Sequence, residues 1–201
     1  MLIWCEMTTM TQAKTKDDGG LSRTDRLSIE RLGSLLPDAG AHFSFWSLMA
    51  GGLLLDLWTK KAAFARLEPG EVLPVIDGFF QLVRAENNGA AFGLFAGKAY
   101  FLTAVSIFAM VVIFAVFMFG GNRQKLINVA LGLFAAGVCG NLYDRAFNGG
   151  RVRDFIDVYY RDYHWHTFNV ADALLCIGVG LLIISSFFIE KPARKHDRPQ
   201  K

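Results

Sequence analysis

Cysteine is scarce in this chain of 201 residues, and the common metal-binding and nucleophile motifs are missing. Cys5, Cys139 and Cys176 are too widely scattered to predict a disulfide framework or a cysteine metal site. No His-Glu-x-x-His, Cys-His or Gly-x-Ser-x-Gly spacing occurs. His164 and His166 lie near several aspartates, but a single His-x-His is weak evidence for a metal. We therefore expect no metal ion and no nucleophilic serine or cysteine.

Charge is also low and is not arranged for nucleic acid. Charged residues make up 19% of the chain, and the formal net charge is +3. A nucleic-acid-binding domain would carry a basic face with aromatic residues between the charges, and no such pattern occurs. The basic residues instead flank apolar runs, as they do in membrane proteins. We expect no nucleic-acid partner.

Long apolar runs are abundant, in a composition that is 53% hydrophobic. A transmembrane helix needs about 20 apolar residues, and four stretches meet or approach that length. They cover residues 43–64, 100–120, 126–143 and 170–189. We therefore predict an all-α polytopic membrane protein with four transmembrane helices. Turn-like and alternating pieces in residues 65–98 predict a small extended or β element at the outer membrane surface, and residues 144–167 predict a polar loop there.

Composition also divides the chain into three parts. Residues 1–40 predict a polar cytoplasmic extension without the apolar core of a signal peptide. Residues 41–190 form the four-helix membrane domain, and residues 191–201 form a basic cytoplasmic tail. The two tails and the 121–125 turn hold 12 of the 21 lysines and arginines, and these residues favour the cytoplasmic side. Both termini are therefore expected in the cytoplasm, with both longer loops on the outer face.

Two aspartates stand at the ends of apolar runs. An aspartate inside a spanning helix costs about 2.5–3.5 kcal/mol on insertion scales, so such acids usually have a function. Asp172 lies in the first predicted turn of the fourth run, and Asp154 follows the third run closely enough to fold back. Two carboxylates about 4 Å apart repel by about 4 kcal/mol at an effective dielectric constant of 20, so one holds a proton while the other stays charged. Such a pair can activate water, and the alternative is a helix N-terminal acid with an unrelated solvated loop acid.

Asparagines accompany these acids at a repeated spacing. Asn141 and Asp144 share a helix face at the end of the third run, and Asn169 and Asp172 repeat that spacing at the start of the fourth. Facing helix ends would bring the four side chains into one polar cluster, in which the amides orient the acids. Asn169 could instead cap a helix, and Arg145 could extend its charge to the membrane surface.

Two further segments have polar residues at suggestive positions. Asp56 and Lys60 are an i, i+4 pair, which predicts an ion pair that is either structural or part of a site. Residues 86–93 contain Asn87 and Gly89 and predict a turn. The same segment could also present backbone amides to an extended peptide.

Four boxes in this order resemble the lipoprotein signal peptidase, or signal peptidase II, family. Each box is weak alone, but the ordered set covers about residues 43–190 with the expected layout of spans. The boxes are Asp56-x-x-x-Lys60, then Asn87-Asn88-Gly89-Ala90-Ala91-Phe92, then Gly140-Asn141-Leu142-Tyr143-Asp144-Arg145 with Asp154-Phe155-Ile156-Asp157, and finally Phe168-Asn169-Val170-Ala171-Asp172.

The resemblance implies a bacterial inner-membrane aspartic endopeptidase. Such enzymes remove the signal peptide from prolipoproteins on the N-terminal side of a diacylglyceryl-modified Cys. Asp154 and Asp172 match the catalytic acids of the family. The matches to its supporting and substrate-binding positions are Asp56, Lys60, Asn87, Gly89, Asn141, Asp144, Arg145, Asn169 and Ala171.

The resemblance also implies no cofactor, with prolipoproteins and membrane lipids as partners, and we expect a monomer. Asn88 stands where the family usually has Thr, and Arg153 where an apolar residue is usual, but neither change removes a group from the mechanism. Two other classes remain open. One is a proton or ion transporter, although the acids cluster at one face and no inverted repeat is evident. The other is a non-catalytic membrane scaffold, which the intact acid pair disfavours.

Overall fold

The computed structural model describes residues 36–90, 94–120 and 125–187. In these residues the chain forms four long helices and four strands. Their order is α1 (Ala39–Arg66), β1 (Val72–Ile76), β2 (Phe80–Asn87), α2 (Ala99–Phe119), α3 (Lys125–Phe147), β3 (Val152–Tyr160), β4 (Tyr163–His164) and α4 (Val170–Phe187). The predicted extension up to residue 35, most of the 121–125 turn and the 191–201 tail lie outside the described residues.

Within the described residues, α2, α3 and α4 are long and apolar enough to cross a membrane. Helices α2 and α4 leave large apolar side chains exposed, for example Phe108 at 69% and Ile183 at 55%, as lipid-facing helices do. Helix α1 has 28 residues, which at 1.5 Å per residue is about 42 Å and exceeds the hydrocarbon core of about 30 Å. However, His42, Asp56 and Lys60 lower its hydropathy. Three of the four predicted spans are therefore supported by length and composition, and the span of α1 stays a prediction.

Helix α3 lies at the centre of the bundle and packs on the other three helices. Small residues allow this close approach: a Cβ at Gly137 would lie 2.5 Å from the carbonyl oxygen of Ala171, and one at Gly132 would lie 2.9 Å from that of Phe45. Such contacts between small residues are typical of helices that associate in a membrane. Phe45 also stacks on Phe117, with 4.1 Å between ring centroids, and fills the core between α1 and α2.

The four strands form an antiparallel sheet in the order β1-β2-β3-β4. The sheet follows the ends of α1 and α3 and precedes the starts of α2 and α4, so it lies at one end of the bundle. In the β2–β3 pair, Ala85 is opposite Asp154 and Asn87 is opposite Val152. An isolated bridge from β3 to Phe168 brings the same strand to the start of α4. The sheet thereby brings Asp154 to the N-terminus of α4.

The extended element predicted within residues 65–98 is confirmed as β1 and β2, but the prediction of a polar loop over residues 144–167 is wrong. Helix α3 continues to Phe147, past the predicted end at residue 143, and β3 occupies Val152–Tyr160. Asp154 therefore lies on a strand and not in a loop. The arginine and the two aspartates of this segment interrupt the alternation that marks a half-buried strand, although its Val, Ile, Phe and Tyr residues favour strands.

Candidate active site

Asn169 lies directly before α4 and caps it. Its Oδ1 accepts a hydrogen bond from the backbone N–H of Asp172 at 3.0 Å, and Asp172 Oδ2 accepts one from the backbone N–H of Asn169 at 3.2 Å. This reciprocal pair is a capping box in which aspartate replaces the usual glutamate. Asn169 therefore does cap the helix, and the same bonds hold the Asp172 carboxyl over the first turn of α4.

The side-chain amide of Asn169 also reaches the second acid. Its Nδ2 donates to Asp154 Oδ1 at 2.6 Å and to Asn141 Oδ1 at 3.2 Å. Asn141 Nδ2 in turn donates to Asp172 Oδ1 at 2.8 Å. The two asparagines and the two acids thus form one hydrogen-bonded cluster, and both carboxyls line the same cavity.

The two acids have different surroundings. Asp154 is 2% exposed, and burial raises the pKa of its carboxyl to about 7, with a further rise from the negative charge of Asp172. Hydrogen bonds from Asn169 and Asn87 and the charge of Lys60 oppose this rise in the pKa of Asp154. A carboxyl with a pKa near neutrality can hold a proton and release it during a reaction. Asp172 accepts hydrogen bonds on both oxygens, which suits an ionised carboxylate.

A buried charge network adjoins this cluster. Lys60 Nζ lies 2.8 Å from Asp56 Oδ2 and 3.0 Å from Asp144 Oδ2, and it donates to Asn141 Oδ1 at 3.2 Å. Arg153 binds Asp144 through its guanidinium group and its backbone N–H. Lys60, Asp56 and Asp144 are fully buried. Two cations and two carboxylates make the network neutral, and a buried charge needs such a partner.

The network also holds the backbone next to each acid. Asp56 Oδ1 accepts the N–H of Ala171, which directly precedes the acid of α4, at 2.8 Å. Asp144 Oδ2 accepts the N–H of Arg153, which directly precedes the acid of β3, at 3.0 Å. Gly140 leaves room for this arrangement, because a Cβ there would collide with Asp56 Oδ2. The ion pair predicted from the i, i+4 spacing is thus part of the scaffold around the cluster.

Arg145 extends from the last turn of α3 to the rim of the cavity. Its Nη2 donates to the carbonyl oxygen of Gly89 at 3.1 Å, and its Nη1 donates to that of Asn141 at 3.4 Å. The backbone N–H of Gly89 donates to Asn87 Oδ1 at 2.9 Å, which forms an Asx turn after β2. Arg145 therefore joins the end of β2 to the end of α3.

The cavity beside the acids has a volume of about 630 Å³. The polar cluster lines part of it, and residues 165–168, which follow β4 and are called the outer wall below, line another part. The remaining lining residues are largely apolar. Those from α2, α3 and α4 are Val105, Ser106, Ala109, Val138, Ala173, Leu175 and Cys176, and Ala90 and Val152 complete the lining from the sheet end. The sequence does not identify these residues, because nothing in a uniformly apolar run marks the face that borders a cavity.

The structure brings together all the residues that the sequence nominates. The cavity is lined by Asp154, Asp172, Asn87, Gly89, Asn141 and Arg145. These residues are supported from α1, α3, α4 and the residue directly before α4, by Asp56, Lys60, Asp144, Ala171 and Asn169. Ala91 and Phe92 of the second box lie outside the described residues. In the part of the chain that the structure describes, no group of three or more His, Cys, Asp or Glu is arranged to hold a metal ion.

The family model described as signal peptidase (SPase) II matches residues 48–188, a range that contains the whole cluster. The chain belongs to the signal peptidase II family. The lipoprotein signal peptidase of Geobacter sulfurreducens is 41% identical over 143 residues, which cover 70% of this chain and 89% of that protein. The lipoprotein signal peptidase of Clostridium acetobutylicum is 37% identical over 149 residues, which cover 74% of this chain and 95% of that protein.

The fold is similar to that of a solved bacterial membrane enzyme. The two superpose with a TM-score of 0.65 at 31% sequence identity, over 77% of this chain and 92% of the other. As a signal peptidase II, the chain is a protease and a membrane protein.

Proposed function

We propose that this signal peptidase II is an aspartic endopeptidase that removes the signal peptide from prolipoproteins on the N-terminal side of the diacylglyceryl-modified Cys. The observation that carries the proposal is Asn169, which hydrogen-bonds to both Asp154 and Asp172 beside a cavity of about 630 Å³. The lipoprotein signal peptidases to which the chain is similar support the substrate class.

In the proposed mechanism Asp154 holds a proton and Asp172 is ionised. Asp172 takes a proton from a water molecule while the water oxygen attacks the scissile carbonyl carbon. Asp154 gives its proton to the carbonyl oxygen, so the tetrahedral intermediate is a neutral gem-diol. On collapse, Asp172 passes its proton to the leaving nitrogen and a hydroxyl proton returns to Asp154. The pKa of Asp154, raised to about 7 by burial, supports this division of roles.

The proposal includes a placement in the bacterial inner membrane. Helix α1 is the fourth span, both termini are cytoplasmic, and the cavity lies near the outer face. The distribution of lysine and arginine along the sequence supports this orientation. Val105 and Ala109 of α2 and Leu175 of α4 give the cavity an apolar surface beside the acids. Such a surface suits the acyl chains of the substrate, which stay in lipid while the scissile bond reaches the acids.

A hydrolase fits the distribution of acids better than a proton relay does. A relay needs acids along a path across the membrane. In the described parts of the four helices the acids are Asp56, Asp144 and Asp172, and hydrogen bonds and ion pairs link all three to one cluster at the sheet end.

Substitution of each acid by asparagine tests the proposal. Asp154→Asn and Asp172→Asn keep the side-chain volume but remove the carboxyl, so each should lower cleavage by at least about 100-fold, as expected for loss of acid–base catalysis. Cleavage of a diacylglyceryl-modified prolipoprotein in detergent micelles is followed as a gel shift. Asp162→Asn, an exposed acid in the turn between β3 and β4, is the control and should cleave like the wild type. Wild-type cleavage by either dyad variant would refute the assignment.

A further inference from the structure

Asp157 is a buried acid that the proposed mechanism does not use. It is 5% exposed. Its Oδ2 accepts a hydrogen bond from Gln81 Nε2 at 2.6 Å and lies 2.8 Å from His164 Nδ1. Its Oδ1 is buried with no hydrogen-bond partner among the described residues. A buried carboxylate is stabilised by the hydrogen bonds that it accepts. Here both contacts are made to Oδ2, one from Gln81 of β2 and one from His164 of β4.

His164 belongs to β4, a two-residue strand at the edge of the sheet. The imidazole of His164 stacks on the ring of Tyr159, with 5.2 Å between centroids. The Tyr159 hydroxyl accepts the backbone N–H of Gly78 at 3.0 Å. Because so short a strand gains little from its own ladder, we expect the contact with the buried Asp157 carboxyl to be a main anchor of β4.

The chain that follows β4 is the outer wall of the cavity, residues 165–168. At one end of the wall, the backbone N–H of Trp165 donates to the carbonyl oxygen of Val158 at 2.8 Å. At the other end, Phe168 and Ile156 exchange backbone hydrogen bonds of 2.9 and 3.0 Å, directly before Asn169. The wall is thus held at both ends, and its first residue, Trp165, directly follows His164 of β4.

We propose that Asp157 and His164 are positioning residues whose contact holds the outer wall of the cavity, so that they control substrate binding more than the rate of bond cleavage. This inference rests on the proposed peptidase function. Asp154 is held separately, by Asn169 and by the backbone pairing of β2 with β3. Loss of the anchor therefore loosens the wall while it leaves the acids in place.

Steady-state kinetics with the diacylglyceryl-modified prolipoprotein test this role. His164→Ala and Asp157→Ala should each raise KM by about three- to tenfold, the range that one net hydrogen bond supplies, with kcat changed by less than about twofold. The double variant should show no more than the effect of Asp157→Ala, which removes the contact with His164 as well as the hydrogen bond from Gln81. His164→Gln, whose amide can donate to Asp157, should restore most of the affinity. Tyr163→Ala in the same strand and Asp162→Asn are the matched controls and should keep the wild-type KM.

A merely structural role predicts a different result. Loss of folded enzyme lowers the apparent kcat through the active fraction and leaves KM unchanged. A wild-type KM in His164→Ala, or fully additive effects in the double variant, would overturn the positioning role. Absence of cleavage by the wild type, or cleavage retained in Asp154→Asn, would instead overturn the proposed function.

Discussion

Replacement of Lys60 by methionine tests how much the buried charge network stabilises the fold. Methionine keeps the apolar part of the side chain and removes Nζ, which lies 2.8 Å from Asp56 Oδ2 and 3.0 Å from Asp144 Oδ2. Asp144 keeps its ion pair with Arg153. Asp56 keeps, among the described residues, its hydrogen bond from the backbone N–H of Ala171. Asp56 is therefore the carboxylate that is left without a cation partner when Nζ is removed.

Removal of one partner from a buried ion pair costs about 3–5 kcal/mol, because the other charge is left uncompensated. Lys60 and Asp56 are both 0% exposed, so solvent cannot take the place of the missing cation. We therefore expect Lys60→Met to lower the free energy of unfolding by about 3–5 kcal/mol. Addition of Asp56→Asn removes the orphaned charge and keeps an oxygen for the backbone N–H, so the double variant should recover about 1–3 kcal/mol.

The free energy of unfolding is measured by SDS titration in mixed micelles, with tryptophan fluorescence as the signal. Lys61→Met is the matched control, because Lys61 is the next residue of α1 and is exposed. It should change the free energy of unfolding by less than about 0.5 kcal/mol. The reasoning is refuted if Lys60→Met is as stable as Lys61→Met, or if Asp56→Asn lowers the stability of Lys60→Met further.

Two further predictions concern the protonation of Asp154 and the close packing of α3. Because burial raises the pKa of Asp154 to about 7 and the proposed reaction needs this carboxyl protonated, kcat/KM should fall as the pH rises through and above about 7. A kcat/KM that stays flat from about pH 6 to about pH 9 contradicts this. Gly140→Ala should lower both cleavage and thermal stability in micelles, because its Cβ would collide with Asp56 Oδ2 and approach the Cβ of Ala171 to 3.0 Å. Gly51→Ala, where nothing lies within 4 Å of the added Cβ, should behave like the wild type, and equal behaviour of the two variants would count against the packing argument.

The sequence predicted α2, α3 and α4 because runs of about 20 residues with at most one charge have few explanations other than a span. Helices α2 and α3 begin within one residue of the predicted runs, and α4 begins at the predicted residue 170. The ordered boxes likewise led to the residues that cluster around the cavity. The topology brings the four boxes together, and side-chain contacts link them: Lys60 with Asp144, Arg145 with Gly89, and Asn169 with Asn141.

Pairing between distant segments was the part that the sequence did not reveal. Strand β3 has too many charges for a regular alternation, and it is defined by its pairing with β2, where Gln81 lies opposite Asp157. The partner of Arg153 was missed for a related reason. Asp144 is nine residues earlier, at the end of a helix, and the chain must turn from that helix into β3 before the two side chains meet. Neither pairing produces a periodic pattern of apolar residues in the nearby sequence.

At Asn169, capping of helix α4 and a role in the cluster of acids do not exclude each other. A helix N-cap needs a side-chain oxygen, which Ser, Thr, Asp and Asn all supply. This position also needs N–H donors for Asp154 and Asn141, which a carboxylate lacks and a hydroxyl supplies only once. Asparagine is the capping residue that has both groups, and here Oδ1 caps α4 while Nδ2 binds the neighbouring oxygens. The same side chain therefore sets the start of α4 and the placement of Asp154, so the cluster of acids is complete only when α4 has formed.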